Sequence, residues 1–228
     1  MKTIGFDAGP IISLATNNLL WLLEPLKKKF GGKFFITPAV RRELIDKPFE
    51  MKRYEFEAFQ VAKLIDDNVL EVIKNAKIFK LRDKLLELAN HSFRIGGDWL
   101  RIVHEGEVEV LAADAVLDAD ATVVDERTVR MFLEAPERLA TLFERRIHEK
   151  VHVNWDNVEE FRNYLKNVDI IRSTELVTVA YELGLLDKFV TKVACYGRRR
   201  VLDAALWALK VRGCAISKKE IDRIVEEE

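Results

Sequence analysis

Glutamine is almost missing from this chain: Gln60 is the only one in 228 residues. Cysteine is nearly as scarce. Cys195 and Cys214 form no CxxC pair, so neither a disulfide framework nor a cysteine zinc site is suggested. No apolar run approaches the length of a membrane span. Net charge is lacking too: 37 basic residues face 38 acidic ones, leaving −1. A whole-protein basic field is therefore excluded, and any nucleic-acid contact must come from local patches. The first residues carry a strand pattern in place of a signal-peptide pattern. A cytoplasmic protein without a membrane partner is expected.

What is present is charge of both signs and a normal apolar share. Charged residues make up 33% and hydrophobic residues 49%. With so little glutamine, the high charge points to a thermophile source. The length suffices for one large domain or two small ones, and is ample for a real core.

The first informative stretch is Thr3-Ile4-Gly5-Phe6-Asp7-Ala8-Gly9-Pro10. Thr3, Ile4 and Phe6 favour a strand. Pro10 suits the first turn of a helix, where its missing N–H needs no partner. Asp7 thus stands where a buried strand becomes a helix. It is either a helix cap or a ligand-binding acid at the carboxyl edge of an α/β sheet. Lys33-Phe34-Phe35-Ile36 reads as a second strand, and Thr37-Pro38 opens a helix, Ala39 to Ile45, that carries Glu43 near its buried margin. Gly106 to Leu117 reads as a strong helix with Val108, Leu111, Ala112 and Ala115 on one face and Glu107 at its start. Asp120 to Val124 is strand-like and ends in Asp125, repeating the pattern of apolar strand, acid and helix. Two such acids in one chain suggest a metal or phosphate site.

Residues 47–104 read as a mostly helical arm, with helices near Tyr54–Ile65 and Phe79–Ala89 around a strand at Val69–Ile73. His148-Glu149-Lys150-Val151-His152 matches HExxH, but Val151-His152-Val153 is strand-like and would point the two imidazoles apart. A charged, solvated helix end is the preferred reading. Ser173 and Thr174 sit at a third strand-to-helix switch, after Asp169-Ile170-Ile171-Arg172. Either hydroxyl is a candidate for phosphate contact or for an N-cap. Arg198, Arg199 and Arg200 open the helix Val201 to Val211. Positive charge opposes the dipole there, so a nucleic-acid contact competes evenly with a solvated helix start. Ser217-Lys218-Lys219-Glu220 is a capping box for the last helix.

Taken together, these stretches resemble the PIN-domain ribonucleases, a family that includes the toxin halves of toxin–antitoxin pairs. Phe6-Asp7-Ala8-Gly9-Pro10-Ile11-Ile12-Ser13-Leu14-Ala15 is similar to the family's opening aspartate motif. Thr37-Pro38-Ala39-Val40-Arg41-Arg42-Glu43-Leu44 resembles its second motif, and Gly106-Glu107-Val108-Glu109-Val110-Leu111-Ala112-Ala113 its third. Val123-Val124-Asp125-Glu126-Arg127 resembles the fourth, and the tail from Arg212 to Ser217 resembles the end of an archaeal and bacterial subgroup.

The resemblance implies a single domain over 1–228, a three-layer α/β/α sandwich around a mostly parallel sheet. Residues 47–104 would be its helical arm and 135–169 an insertion. It implies Mg²⁺- or Mn²⁺-dependent endonucleolytic cleavage of RNA, with Asp7, Glu43, Glu107 and Asp125 holding the metal. It also implies a homodimer, and an antitoxin protein as a further partner of toxin-type members. Three features depart from the family pattern: Gly9 stands where many members carry a hydroxyl, the third acid is Glu, and Glu109 and Asp114 are rival acids on the same helix. The alternatives are a PIN-like module that binds RNA or protein without cutting, and a phosphotransfer enzyme with Asp7 as nucleophile. The absence of a second Asp just after Asp7 argues against the latter.

Overall fold

The computed structural model describes residues 2–192 and 196–228, and Cys195 lies outside them. In chain order the elements are β1 (Thr3–Phe6), α1 (Ala8–Thr16), α2 (Leu23–Phe30), β2 (Lys33–Ile36), α3 (Pro38–Arg41), α4 (Lys47–Met51) and α5 (Glu55–Asp66). Then follow β3 (Glu71–Val72), α6 (Ala76–Asn90), β4 (Phe93–Ile95), β5 (Asp98–Trp99), α7 (Glu105–Leu117), β6 (Ala121–Val123), α8 (Arg127–Glu134) and α9 (Pro136–Ile147). The chain closes with β7 (Val151–Val153), α10 (Trp155–Tyr164), β8 (Ile170–Ile171), α11 (Ser173–Glu182), α12 (Arg198–Val211) and α13 (Lys218–Glu227).

Five strands form a parallel sheet in the order β3-β2-β1-β6-β8. Each face is covered by helices, giving the α/β three-layer architecture expected from the sequence. Alternation along the strands divides the core. Phe6, Phe34 and Ile36 pack on one face with α1, α11 and α12. Phe35 and Val124 pack on the other with α6 and α7. Gly5 is required at the centre: a Cβ there would stand 2.8 Å from the Phe35 ring and 3.1 Å from Val110. The β1–β2 register therefore depends on a residue without a side chain.

From β1 the chain builds outward through β2 and β3 on one side, then through β6 and β8 on the other. The order reverses between β1 and β6, and such a switch opens a crevice at the carboxyl ends of the strands. The amide of Asp7 donates to the Val123 carbonyl at 3.0 Å, tying these two strand ends together.

Several local readings change. The helix read as Leu19 to Phe30 is a 3₁₀ turn, Leu20–Leu22, followed by α2. Pro25, within α2's first turn, has no N–H to continue an earlier helix. The arm is not purely helical: Gly96-Gly97 turns β4 into β5, and β7 pairs antiparallel with β4. The stretches 47–104 and 135–169, distant in sequence, thereby share one small sheet and one apolar core. Ser173 is not the cap of α11. That place is taken by Arg172, whose amide donates to Glu175 Oε2 at 2.7 Å. His148 ends α9 in the left-handed region (φ 61°), while His152 lies in β7. The HExxH residues thus do not share a helix face. Among the described residues no helix is long and apolar enough to cross a membrane.

Candidate metal and phosphate site

Asp7 follows β1 directly and takes extended backbone geometry (φ −75°, ψ 165°) at the start of α1. Asp125 stands two residues past the end of β6, and Glu126 after it caps α8. Glu43 arrives from beyond β2: the Thr37 hydroxyl accepts the Val40 amide to open α3, which passes at once into a π turn, Arg42–Asp46, bearing Glu43. π turns inside helices are frequent at functional sites. Glu107 enters from the first turn of α7. All four line one cavity of about 600 Å³ at the β1/β6 switch. Its rim adds Lys47, Arg101, His104 and Arg212.

Two glycines bring the acids close. A Cβ on Gly9 would stand 3.6 Å from Asp7 Oδ2 and 3.9 Å from Asp125 Cβ, so the start of α1 separates the two aspartates by little more than a methyl group. A Cβ on Gly106 would stand 3.1 Å from Glu43 Oε1, so α7 lies directly on the Glu43 carboxylate.

Burial marks Asp7, Glu107 and Asp125, and neighbouring negative charge adds to it. Asp7 is buried, and its carboxyl is pushed up to about 7 by desolvation, with the charges of Glu43 and Asp125 adding to it. The Ala8 and Gly9 amides at the start of α1 pull the other way. Glu107 is also pushed up to about 7, by desolvation first and then by Asp7, Glu126 and Glu43. One Glu107 oxygen, Oε2, accepts the His104 amide at 2.8 Å and so closes the N-terminus of α7. Burial raises Asp125 as well, although three donors oppose the rise. Those donors are the Ser173 amide (2.8 Å), the Ser173 hydroxyl (2.7 Å) and the Cys214 thiol (3.3 Å). Cys214 itself is pushed up to about 12 by burial and by the Asp125 charge, so it keeps its proton.

As the side chains stand, no three His, Cys, Asp or Glu residues among those described are arranged to hold a metal ion. The four carboxylates share a cavity wall without converging on one point.

The rival acids of α7 lie elsewhere. Glu109 is only 1% exposed, accepts the Ala39 amide at 2.8 Å and pairs with Arg82 at 2.6 Å. Asp114 is buried against the Thr122 hydroxyl. The phosphate reading of Ser173 and Thr174 is corrected: both are fully buried, Ser173 is committed to Asp125, and the Thr174 hydroxyl lies 3.3 Å from Glu175. Arg198, Arg199 and Arg200 are exposed, but at the far end of α12 from Arg212. Fourteen residues of helix put them about 20 Å from the cavity. Arg198 is held by Asp187 and the Tyr181 carbonyl, and Arg200 by Asp203.

Ser173, Cys214, Arg101 and Arg212 are the residues that motif reading did not assign to this site. Ser173 offered a signal, since it follows the strand next to the one that ends in Asp125. Arg212 and Cys214 lie in the tail that resembles the end of a family subgroup, which gave them no site role, and Arg101 gave no signal.

No family model matches the chain, and neither a curated protein nor a solved structure does.

Proposed function

We propose that this chain is a Mg²⁺- or Mn²⁺-dependent endoribonuclease of the PIN-domain kind. The observation that carries the reading is the gathering of Asp7, Glu43, Glu107 and Asp125 around one cavity at the topological switch, with burial first and then like charge raising the carboxyls of Asp7 and Glu107. A divalent cation suits such a donor set: every ligand is a hard oxygen, and the charge it brings removes the repulsion. Mg²⁺ keeps several waters and takes one or two carboxylates directly, together with substrate phosphate, so this reading does not need all four acids on one point. Asp7 and Asp125, beside adjacent strand ends, are the direct holders in this reading, and Glu43 and Glu107 act from the same cavity.

When bound, the cation polarises a phosphoryl oxygen and makes a water a stronger nucleophile. The chain's own residues do the rest. Arg101 and Arg212 are exposed at the rim, and neither guanidinium has a hydrogen bond or ion pair with another described residue. They are suited to take the phosphates that flank the scissile one. Glu107 has one oxygen free of the His104 amide, and its raised proton affinity suits it to accept the proton of an attacking water. RNA as the substrate, a homodimer and an antitoxin partner rest on the sequence resemblance alone.

One observation favours a second reading, a binding module that does not cut: no three of the acids are poised on a common point. The test is turnover of single-stranded RNA with Mn²⁺ or with EDTA. Mn²⁺-stimulated cleavage that disappears in Asp7→Asn supports the nuclease. RNA binding without turnover supports the module.

A further inference from the structure

Asp125 is the most completely held of the four acids. Its Oδ1 accepts both the Ser173 amide and the Cys214 thiol, and its Oδ2 accepts the Ser173 hydroxyl. A carboxylate offers about four lone-pair sites, two on each oxygen. Three are taken, which leaves a single site, on Oδ2. The amide of Ser173 is also one of the unpaired donors at the start of α11, so the positive end of that helix faces the same carboxylate.

The tail is fastened in a matching way. The Ala215 amide donates to the Asp125 carbonyl at 3.3 Å, and the Arg172 guanidinium donates to the Ala215 carbonyl at 3.4 Å and to Glu220 at 2.9 Å. Arg172 is the residue before Ser173. One side chain thus joins the start of α11 to the loop that carries Cys214.

We infer that Ser173 and Cys214 are positioning residues that lock Asp125 so that Oδ2 alone is presented to a divalent cation. This rests on the nuclease reading but assigns a role to residues outside its acidic set. Partners that orient a ligand in this way are worth about 10–100-fold in metal affinity. Each could instead be a plain packing residue, and the two roles separate in metal affinity and not in stability.

The experiment is Mn²⁺ titration calorimetry on the full chain, with thermal melting as the control for folding. Ser173→Ala is expected to weaken Mn²⁺ binding about 10–100-fold while remaining folded. Cys214→Ala is expected to weaken it severalfold, and Cys214→Ser, which keeps a donor, to restore it. On RNA, kcat falls in Ser173→Ala while KM stays near the wild-type value, because the rim that holds the strand is untouched. If Ser173→Ala does not fold, the Cys214→Ala and Cys214→Ser pair decides. Wild-type affinity in the folded variants overturns the lock and leaves the nuclease reading standing. A wild-type protein that binds no Mn²⁺ overturns that reading and the lock with it.

Discussion

Glu109 Oε1 accepts the amide of Ala39 at 2.8 Å, so α7 grips the start of the helix that leads to Glu43. The other oxygen of Glu109 holds Arg82 at 2.6 Å. An acid that the motif places beside Glu107 is thereby a strut for Glu43. Glu109→Ala strands the buried Ala39 amide and takes one of three carboxylates from Arg82, which keeps Glu105 and Asp83, and is expected to cost about 1–3 kcal/mol in urea denaturation. Glu109→Gln keeps one acceptor and is expected to cost about half as much. Equal stability of all three proteins would remove the strut.

The acids that line the cavity should behave oppositely. Asp7→Asn removes a buried charge that Glu43 and Asp125 repel. Its melting temperature is expected to hold or rise, while Mn²⁺-stimulated cleavage falls by about 100-fold or more. Added Mn²⁺ should stabilise the wild type and not the variant, as linkage requires.

The two site glycines give a matched pair. Gly106→Ala sets a methyl group 3.1 Å from Glu43 Oε1, whereas Gly9→Ala meets Asp7 and Asp125 at ordinary contact distances of 3.6 and 3.9 Å. Alanine within a helix is itself favourable by up to about 1 kcal/mol. Both variants are expected to fold at least as well as wild type. Cleavage should fall about tenfold in Gly106→Ala and stay within about threefold in Gly9→Ala. The comparison is made by kinetics on one RNA under fixed salt.

Much of this site was legible in the sequence because its geometry is local: a strand ending in an acid, then a helix, describes both Asp7 and Asp125. Parallel strands and their apolar alternation were legible for the same reason. What was hidden depends on contacts across the fold. Nothing near Cys214 in the chain announces Asp125, and nothing near Phe93 announces its pairing with Val153. Ser173 was read correctly as standing at a strand-to-helix switch, but its hydroxyl turns to Asp125 inside the protein and not to phosphate outside. Arg198, Arg199 and Arg200 form a basic run in sequence, but α12 carries them away from the cavity and delivers Arg212 instead.

Asp114 offers a pH test separate from the site. Burial, then the charges of Asp169, Asp118 and Asp120, push its carboxyl up to about 6, against the pull of the Thr122 hydroxyl. The folded state therefore holds this proton more tightly than the unfolded state. The associated stability is fully present below about pH 4 and is lost as pH rises through about 6. Asp114→Asn keeps an acceptor for Thr122 and removes the charge. It is expected to be more stable than wild type by roughly 1–3 kcal/mol at pH 8 and nearly equal at pH 4, by urea melts at both values.

The rim cations give a kinetic test. Arg101→Ala and Arg212→Ala are expected to raise KM for RNA with little change in kcat, and to make the salt dependence of binding shallower by about one counterion each.

The central claim is that carboxylates from four separate segments serve one divalent cation. Anomalous diffraction from crystals soaked in Mn²⁺ measures this directly. The account predicts a manganese peak in the cavity at the β1/β6 switch, in contact with Asp7 and with Asp125 Oδ2. A fully soaked crystal with no peak there, or with manganese bound only elsewhere, would contradict it.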